Sequence, residues 1–361
     1  MPYDDQLHHK TNVLKQELFP LTFNLSPSIK SKEWGFRNKA KLTVTGPMEA
    51  PLLGLLGETD LDQGREILNC PVHHPGINKI LPELKSFITT TKLIPYNIAS
   101  RKGELKSLIL YSNQEADQIY LRFVLRSKEA LDRIKKNLKI LQEKFPALQC
   151  ISANIQPVAH AILEGKEEII LSDKGFINIS RSDLKFKIGP QGFIQTNEEV
   201  AGKLYAQATE YVKKIRPRRF AELFCGQGGF SFAASPFIES GLGIDINPDA
   251  IIKAQEAAQE NHLGHLKFFC ADAKDVEKKL EEYSPDIVLV NPPRRGLGES
   301  VKWLINKSYP HLIYSSCSHE SLSRDLKLLK AHYEIKHIQI FDMFPHTEHF
   351  ETLVLLSAIK T

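Results

Sequence analysis

Residues 220–230 read FAELFCGQGGF, an apolar strand that runs directly into a glycine-rich turn. Gly226, Gly228 and Gly229 carry no Cβ, so a ligand can come up against the backbone before the next helix begins. With Ser231 in the place of a third glycine, the turn nearly matches the dinucleotide fingerprint, and an NAD-type Rossmann domain is one reading of it. The segments that follow extend the pattern. GLGIDIN, LKFFCADA, DIVLVNPPRRG, HLIYSSCS, YEIKHIQIFDMF and FETLVLLSAI read as strands. Helices fit EEVAGKLYAQATEYVKKI before the turn, and PDAIIKAQEAAQENH, ESVKWLINKS and ESLSRDLKLLKAH after it. Such alternation predicts a parallel sheet covered by helices. Asn247 ahead of Pro248 is a candidate N-cap with proline in the first helical position.

Asp245 ends the strand after the turn, where a carboxylate accepts hydrogen bonds from ribose hydroxyls, and that position serves NAD and S-adenosylmethionine equally. Asp272 falls at the tip of the third strand, where an acidic side chain could hold an adenine amino group; for either carboxylate the alternative is an ordinary loop-end or cap residue, and two such residues on consecutive strand tips favour the ligand reading. Asn291-Pro292-Pro293 separates the two cofactors. Two prolines after a buried strand make a rigid projection, with the Asn291 side chain and peptide carbonyls over the cofactor. That device suits methyl transfer to a nucleobase and has no role in hydride transfer. Cys317 follows the next apolar strand, and on its own reads as a compact core filler.

Upstream of about residue 185 the texture differs. KAKLTVTG, SLILYS, IYLRFVLRS, ISANIQPV and HAILEG alternate like strands exposed on one side, which predicts an α+β domain built on antiparallel pairing. LDRIKKNLKILQEKF, apolar at 131, 134, 138, 141 and 145, reads as an amphipathic helix. The predicted organisation is an N-terminal helical segment (1–30), an α+β central domain that grips RNA (31–185) and a Rossmann-like class I methyltransferase domain (186–361).

The 361 residues, 42% hydrophobic and 25% charged, have ordinary globular composition. The first residues lack a basic head followed by an apolar core, and no run of about eighteen apolar residues occurs, which predicts a cytoplasmic protein without a membrane span. Five scattered cysteines (70, 150, 225, 270 and 317) without CxxC spacing suggest neither a disulfide framework nor a zinc site. The net charge of +4 is a weak sign of a nucleic-acid partner. Its clustering says more: Lys30, Lys32, Arg37, Lys39 and Lys41; Arg101, Lys102 and Lys106; Arg133, Lys135, Lys136 and Lys139; and Lys213 to Arg219. Each cluster is either a phosphate grip or a solvated face.

LFCGQGGF, GIDI, NPPRRG, SSC and FPHTEHFETL, in that order, resemble the RNA uracil-5-methyltransferases. GFRNKAKL, IPYNIASRKGELKSLIL, LRFVLRS, NIQP and IGPQGFIQTN extend the likeness over nearly the whole chain, and it is closest to the bacterial branch acting on 23S rRNA. The resemblance implies transfer of a methyl from S-adenosylmethionine to C5 of a uridine. It makes Cys317 the nucleophile and Glu351 the base, and Gln195, Phe224, Asp245 and Asn291 cofactor contacts beside Gly226, Gly228 and Asp272. A TRAM barrel, carried by larger members, is not expected, and tRNA-acting relatives that also lack one are the nearest competitor. The chemistry explains the residue types. A thiolate adding to C6 makes C5 electron-rich enough to take the methyl, and a base must then remove the C5 proton so that the sulfur can leave. The substrate uridine must leave its stack, so an rRNA loop is the expected partner. Arg294 and Arg295 could hold its backbone, or simply face water.

The family commonly holds a 4Fe-4S cluster. Cys70 in LNCPVHH matches its fourth ligand, and PYDDQLHHK resembles the text after the third, but the three partner cysteines are missing. No complete cluster and no other metal is expected in this chain, and a monomer is the default. Three further classes stay open: an amino-directed nucleobase methyltransferase, which would need no cysteine; a catalytically silent RNA-binding protein; and an NAD enzyme.

Overall fold

The structure, a computed structural model, describes residues 1–56, 64–158, 164–181, 183–190, 192 and 194–359. It divides into two compact units, one of Met1–Glu33, Ser180–Lys185 and Phe193–Thr361, the other of Trp34–Ile179 and Phe186–Gly192. The first helix is α1 (Tyr3–Leu18). The second unit follows with β1 (Lys39–Thr45), β2 (Leu52–Leu56), β3 (Gly64–Glu66), α2 (Pro75–Thr90), β4 (Leu105–Ser112), β5 (Ile119–Leu125), α3 (Leu131–Lys144), β6 (Leu148–Ile155) and β7 (Glu167–Ile170), and then β8 (Ile177–Arg181) pairs with β9 (Leu184–Ile188).

The second unit is a seven-stranded sheet in the order β3-β2-β1-β4-β5-β6-β7. Pairing is antiparallel except between β5 and β6, which run parallel because α3 carries the chain back across the sheet. Leu131, Ile134, Leu138 and Leu141 of α3 and Ile77, Ile80, Leu81, Leu84 and Ile88 of α2 bury one face in a single core. Alternation along β4, β5 and β6 predicts one exposed face, yet these strands are buried almost throughout. On the far face Tyr111 stacks on Tyr120 at 5.8 Å, and Arg122, 2% exposed, donates from Nε to Glu168 at 2.9 Å and pairs with Glu164. Arg122 can be buried there because Glu164 and Glu168 satisfy its guanidinium. The strand expected over HAILEG lies largely outside the described residues.

In the first unit α4 (Glu198–Ile215) precedes β10 (Arg219–Leu223), α5 (Gly229–Ala234), β11 (Ser240–Asp245), α6 (Pro248–Glu260), β12 (Leu266–Cys270), α7 (Ala273–Tyr283), β13 (Ile287–Val290), α8 (Ser300–Lys307), β14 (His311–Ser316), α9 (His319–Leu329), β15 (Tyr333–Phe341) and β16 (Glu351–Ala358). The strands form a Rossmann-like sheet in the order β12-β11-β10-β13-β14-β16-β15. Asn247 caps α6, its side-chain oxygen accepting from the amides of Asp249 and Ala250. The charged stretch 273–283, not among the expected helices, is helix α7, with Val276, Leu280 and Tyr283 as its core-facing stripe. Parallel pairing stops at β14, because the connection 342–350 holds no crossover helix and β16 runs antiparallel to both β14 and β15.

The N-terminal residues belong to this unit. Leu14 and Leu18 of α1 are buried in the core that holds Leu322, Leu326 and Leu329 of α9. Beyond α1 the chain runs along β15: Ser26 donates to the Ile338 carbonyl and Ile29 to that of Ile340, each at 2.8 Å. The C-terminal half of this edge strand is therefore covered.

Candidate active site

The carboxyl ends of the parallel strands share one edge of the sheet. Leu223 pairs with both Ile244 and Val290, Asp245 with Cys270, and Val290 with Tyr314. Phe224, Asp245, Asp272, Asn291 and Cys317 therefore stand at or just beyond consecutive strand ends. The strand order reverses at β10 and β13, and the crevice outside such a switch point is where open α/β sheets take their ligands.

At that point the backbone is unusual. Phe224 has a φ of +56°, Gly226 of +53° and Gly228 of +82°. A left-handed phenylalanine costs roughly 1–2 kcal/mol, so the surrounding bonds must enforce it. One of them is the Gly226 amide, which donates to Oδ2 of Asp245 at 2.8 Å, while Oδ1 accepts from the Asn247 amide at 2.8 Å. A Cβ on Gly226 would meet nothing within 4 Å, so the turn presents bare backbone to open space beside a fixed carboxylate. That cradle fits a nucleoside-bearing methyl donor. Gly228 serves packing: a Cβ there would lie 2.6 Å from Cε1 of Phe268. Gly228→Ala should cost about 2–4 kcal/mol through clash and strained φ together, read as a lower denaturation midpoint; an unchanged midpoint would show that Phe268 yields freely.

Glu222, which the sequence reading passed over, braces the same turn from inside β10. It is 1% exposed, and its Oε2 accepts from the Ser231 amide at 2.7 Å and the Ser231 hydroxyl at 2.5 Å. Burial pushes its carboxyl up to about 7. The available signal was a lone acid inside an otherwise apolar strand just ahead of the glycines.

Ser316 at the end of β14 pairs with Thr352 of β16. One residue further along each strand this antiparallel register sets Cys317 beside Glu351. Cys317 is half-buried, and Glu351 is 4% exposed. Burial, with the Glu351 charge next, raises the Cys317 thiol above its ordinary value, while the nearby Arg294 guanidinium pulls it down. Burial pushes Glu351 up to about 8 against the same arginine. Arg294 thus faces the sulfur and the carboxyl together, a closer engagement than its expected place on an RNA backbone. Two titratable groups and one cation converge at the strand ends.

The other marked residues lie where plainer roles are visible. Asp272 is exposed, and its Oδ1 accepts from the Asp275 amide at 3.2 Å as a cap for α7. Gln195 is half-buried on the segment leading to Asn197, the N-cap of α4. The Asn291 backbone N–H donates to the Leu223 carbonyl at 3.2 Å, tying the start of its turn to β10. Cys70 is half-buried in the other unit, its carbonyl accepting from Asn78. Among the described residues no group of three or more His, Cys, Asp or Glu stands together as a metal site, and no helix is long and apolar enough to cross a membrane. Several clustered basic residues are ion-paired, Lys30 with Asp4, Lys32 with Glu199, Arg133 with Glu129 and Arg218 with Glu239.

Comparison with known proteins gives this edge a context. The chain is 42% identical to the 23S rRNA (uracil(747)-C(5))-methyltransferase RlmC of Mannheimia succiniciproducens, over 98% of this chain and 94% of that protein. It is 40% identical to the protein of the same name from Proteus mirabilis, over 99% and 94%. Among solved structures, the Pyrococcus abyssi tRNA (uracil-54, C5)-methyltransferase in complex with S-adenosyl-L-homocysteine superposes with a TM-score of 0.81 at 27% identity, covering 99% of this chain and 84% of that one. The family model described as tRNA (uracil-5-)-methyltransferase matches residues 2–359, and the chain belongs to that family.

Proposed function

We propose that this enzyme transfers a methyl group from S-adenosylmethionine to C5 of a uridine in 23S rRNA, with Cys317 as nucleophile and Glu351 as base. The observation that carries the reading is the β14–β16 register, which brings a thiol and a buried carboxyl to neighbouring strand ends under one arginine. S-adenosylmethionine supplies the electrophilic methyl, and Gln195, Phe224, Gly226, Gly228, Asp245, Asp272 and Asn291 would hold it. Cys317 Sγ, as thiolate, adds to C6 of the flipped base and drives an electron pair onto C5 and O4. Arg294 stabilises the thiolate. Once C5 bears both methyl and hydrogen, Glu351 takes that proton, the electron pair re-forms the C5–C6 double bond, and Sγ leaves as thiolate. The enzyme works as a monomer in the cytoplasm.

The sequence reading allows Glu351 to act without prior activation, but burial alters the starting point. With its carboxyl near 8, Glu351 is mostly protonated at neutral pH in the free enzyme, and burial likewise favours the protonated thiol of Cys317. Cys317 must lose its proton before it attacks C6, and Glu351 before it can take the C5 proton. kcat should therefore rise roughly tenfold or more between pH 7 and pH 9. A flat profile over that interval in a methyl-transfer assay would contradict it.

The ribosomal substrate is supported by the 42% relative, whose name specifies 23S rRNA. A tRNA uridine is the second reading, favoured by the solved structure at TM-score 0.81. Mass spectrometry of both RNAs from cells lacking the gene separates them. The expected result is one methyl lost from a uracil in 23S rRNA, and loss from tRNA alone would transfer the proposal to the second reading.

A further inference from the structure

α1 touches both segments that present the candidate catalytic pair. Toward its C-terminal end, the Glu17 carbonyl accepts from the Ser323 hydroxyl at 2.5 Å and from Lys327 Nζ at 3.0 Å, while Leu14 and Leu18 share a core with Leu322 and Leu326. All four partners lie on α9, which begins two residues after Cys317. Toward its N-terminal end, Lys10 Nζ donates to Asp342 Oδ1 at 2.7 Å and to the Phe344 carbonyl at 3.1 Å, and Gln6 Oε1 accepts from the His346 amide at 2.9 Å. Asp342, Phe344 and His346 belong to the connection that delivers Glu351. Asp342 directly follows Phe341, the cross-strand partner of Glu351.

The side chains of Lys10 and Asp342 are 2% and 0% exposed. A buried ion pair rarely adds net stability over an apolar pair of the same shape, since both charges lose their water. Its distinctive property is direction, because one ammonium held by a carboxylate and a carbonyl fixes the loop along the helix. Leu14 and Leu18 already attach α1 to the core, so packing alone does not call for a charge at position 10.

Building on the nucleophile and base assigned above, we infer that α1 is a brace that sets the separation of Cys317 and Glu351, with Lys10 as the positioning residue. The brace matters most when Glu351 must reach the C5 proton, and less when Cys317 first attacks C6.

The test uses the full chain with two in vitro transcripts of 23S rRNA, one ordinary and one containing 5-fluorouridine. Fluorine cannot leave as a proton does, so the second transcript reports adduct formation alone. Lys10→Met should form the fluorinated adduct within about threefold of the parent rate, yet lose roughly tenfold or more in kcat on ordinary RNA, with KM unchanged and methylated adduct accumulating. Gln6→Ala, on the exposed rim of the same contact, folds regardless and should show the same split at about threefold. Lys10→Met/Asp342→Leu, which removes both charges, should fold stably and remain slow. Equal loss of adduct formation and turnover in these variants would mean a merely structural helix and overturn the brace, as would parental turnover in all of them. Failure of the parent enzyme to form any adduct would overturn the nucleophile assignment instead, and the brace with it.

Discussion

Cys317→Ala is expected to lose turnover by roughly 10⁴-fold or more, the scale set by deleting a covalent nucleophile. Without sulfur at C6, C5 of uracil is a poor nucleophile, and neither a well-placed methyl donor nor Glu351 compensates, since both act on an electron-rich C5 or its product. The protein should survive the change. Cys317 is half-buried in a loop after β14, and removing one sulfur there should alter stability by about 1 kcal/mol or less. Calorimetry should then find S-adenosylmethionine binding intact while the 5-fluorouridine adduct disappears. Full activity in this variant would favour the amino-directed methyltransferase, and failure of the parent chain to bind the methyl donor would favour the silent RNA-binding protein.

Glu351→Gln is expected to leave the first half of the cycle running and stop the second. Turnover should fall roughly 10²–10⁴-fold, the range for losing a positioned base, and a methylated covalent complex should accumulate on ordinary RNA. The charge of Glu351 also helps raise the Cys317 thiol, so glutamine should shift the pH dependence of adduct formation to lower pH. Stability moves predictably as well. A carboxyl near 8 in the fold, against about 4.3 in the unfolded chain, favours the fold fully below the unfolded value, and that advantage is lost as pH rises through 8. Glutamine has no proton to lose, so the variant should melt above the parent at pH 9 and approach it at pH 4. Prompt release of methylated RNA by this variant would remove Glu351 from the role of base.

The parallel sheet was legible because its strands are buried runs separated by glycine and proline turns, a signal strong enough at β10, β11, β13 and β14 to survive without partners. The two buried faces of the other sheet were not, since Tyr111, Tyr120 and Arg122 look outward-facing until Glu164 and Glu168, more than forty residues downstream, are brought beside them. Asp245 and Cys317 could be marked by their place at strand ends. Glu351 could not be located by such logic, because its site depends on β16 entering antiparallel between β14 and β15, and pairing direction is not written in a single strand. Glu222 and Lys10 escaped for a related reason. Each is an ordinary charged residue until its buried partner is known.

α1 leaves the ribosome well before its partner Asp342, which follows 332 residues later. At about 5–20 residues per second, Leu14 and Leu18 wait roughly 15–70 s before the core that covers them exists. The newly made chain must carry an unsatisfied amphipathic segment through that interval, which makes this helix a natural place for chaperone capture. Methylating capacity accordingly arrives only once β14 and β16 have both emerged.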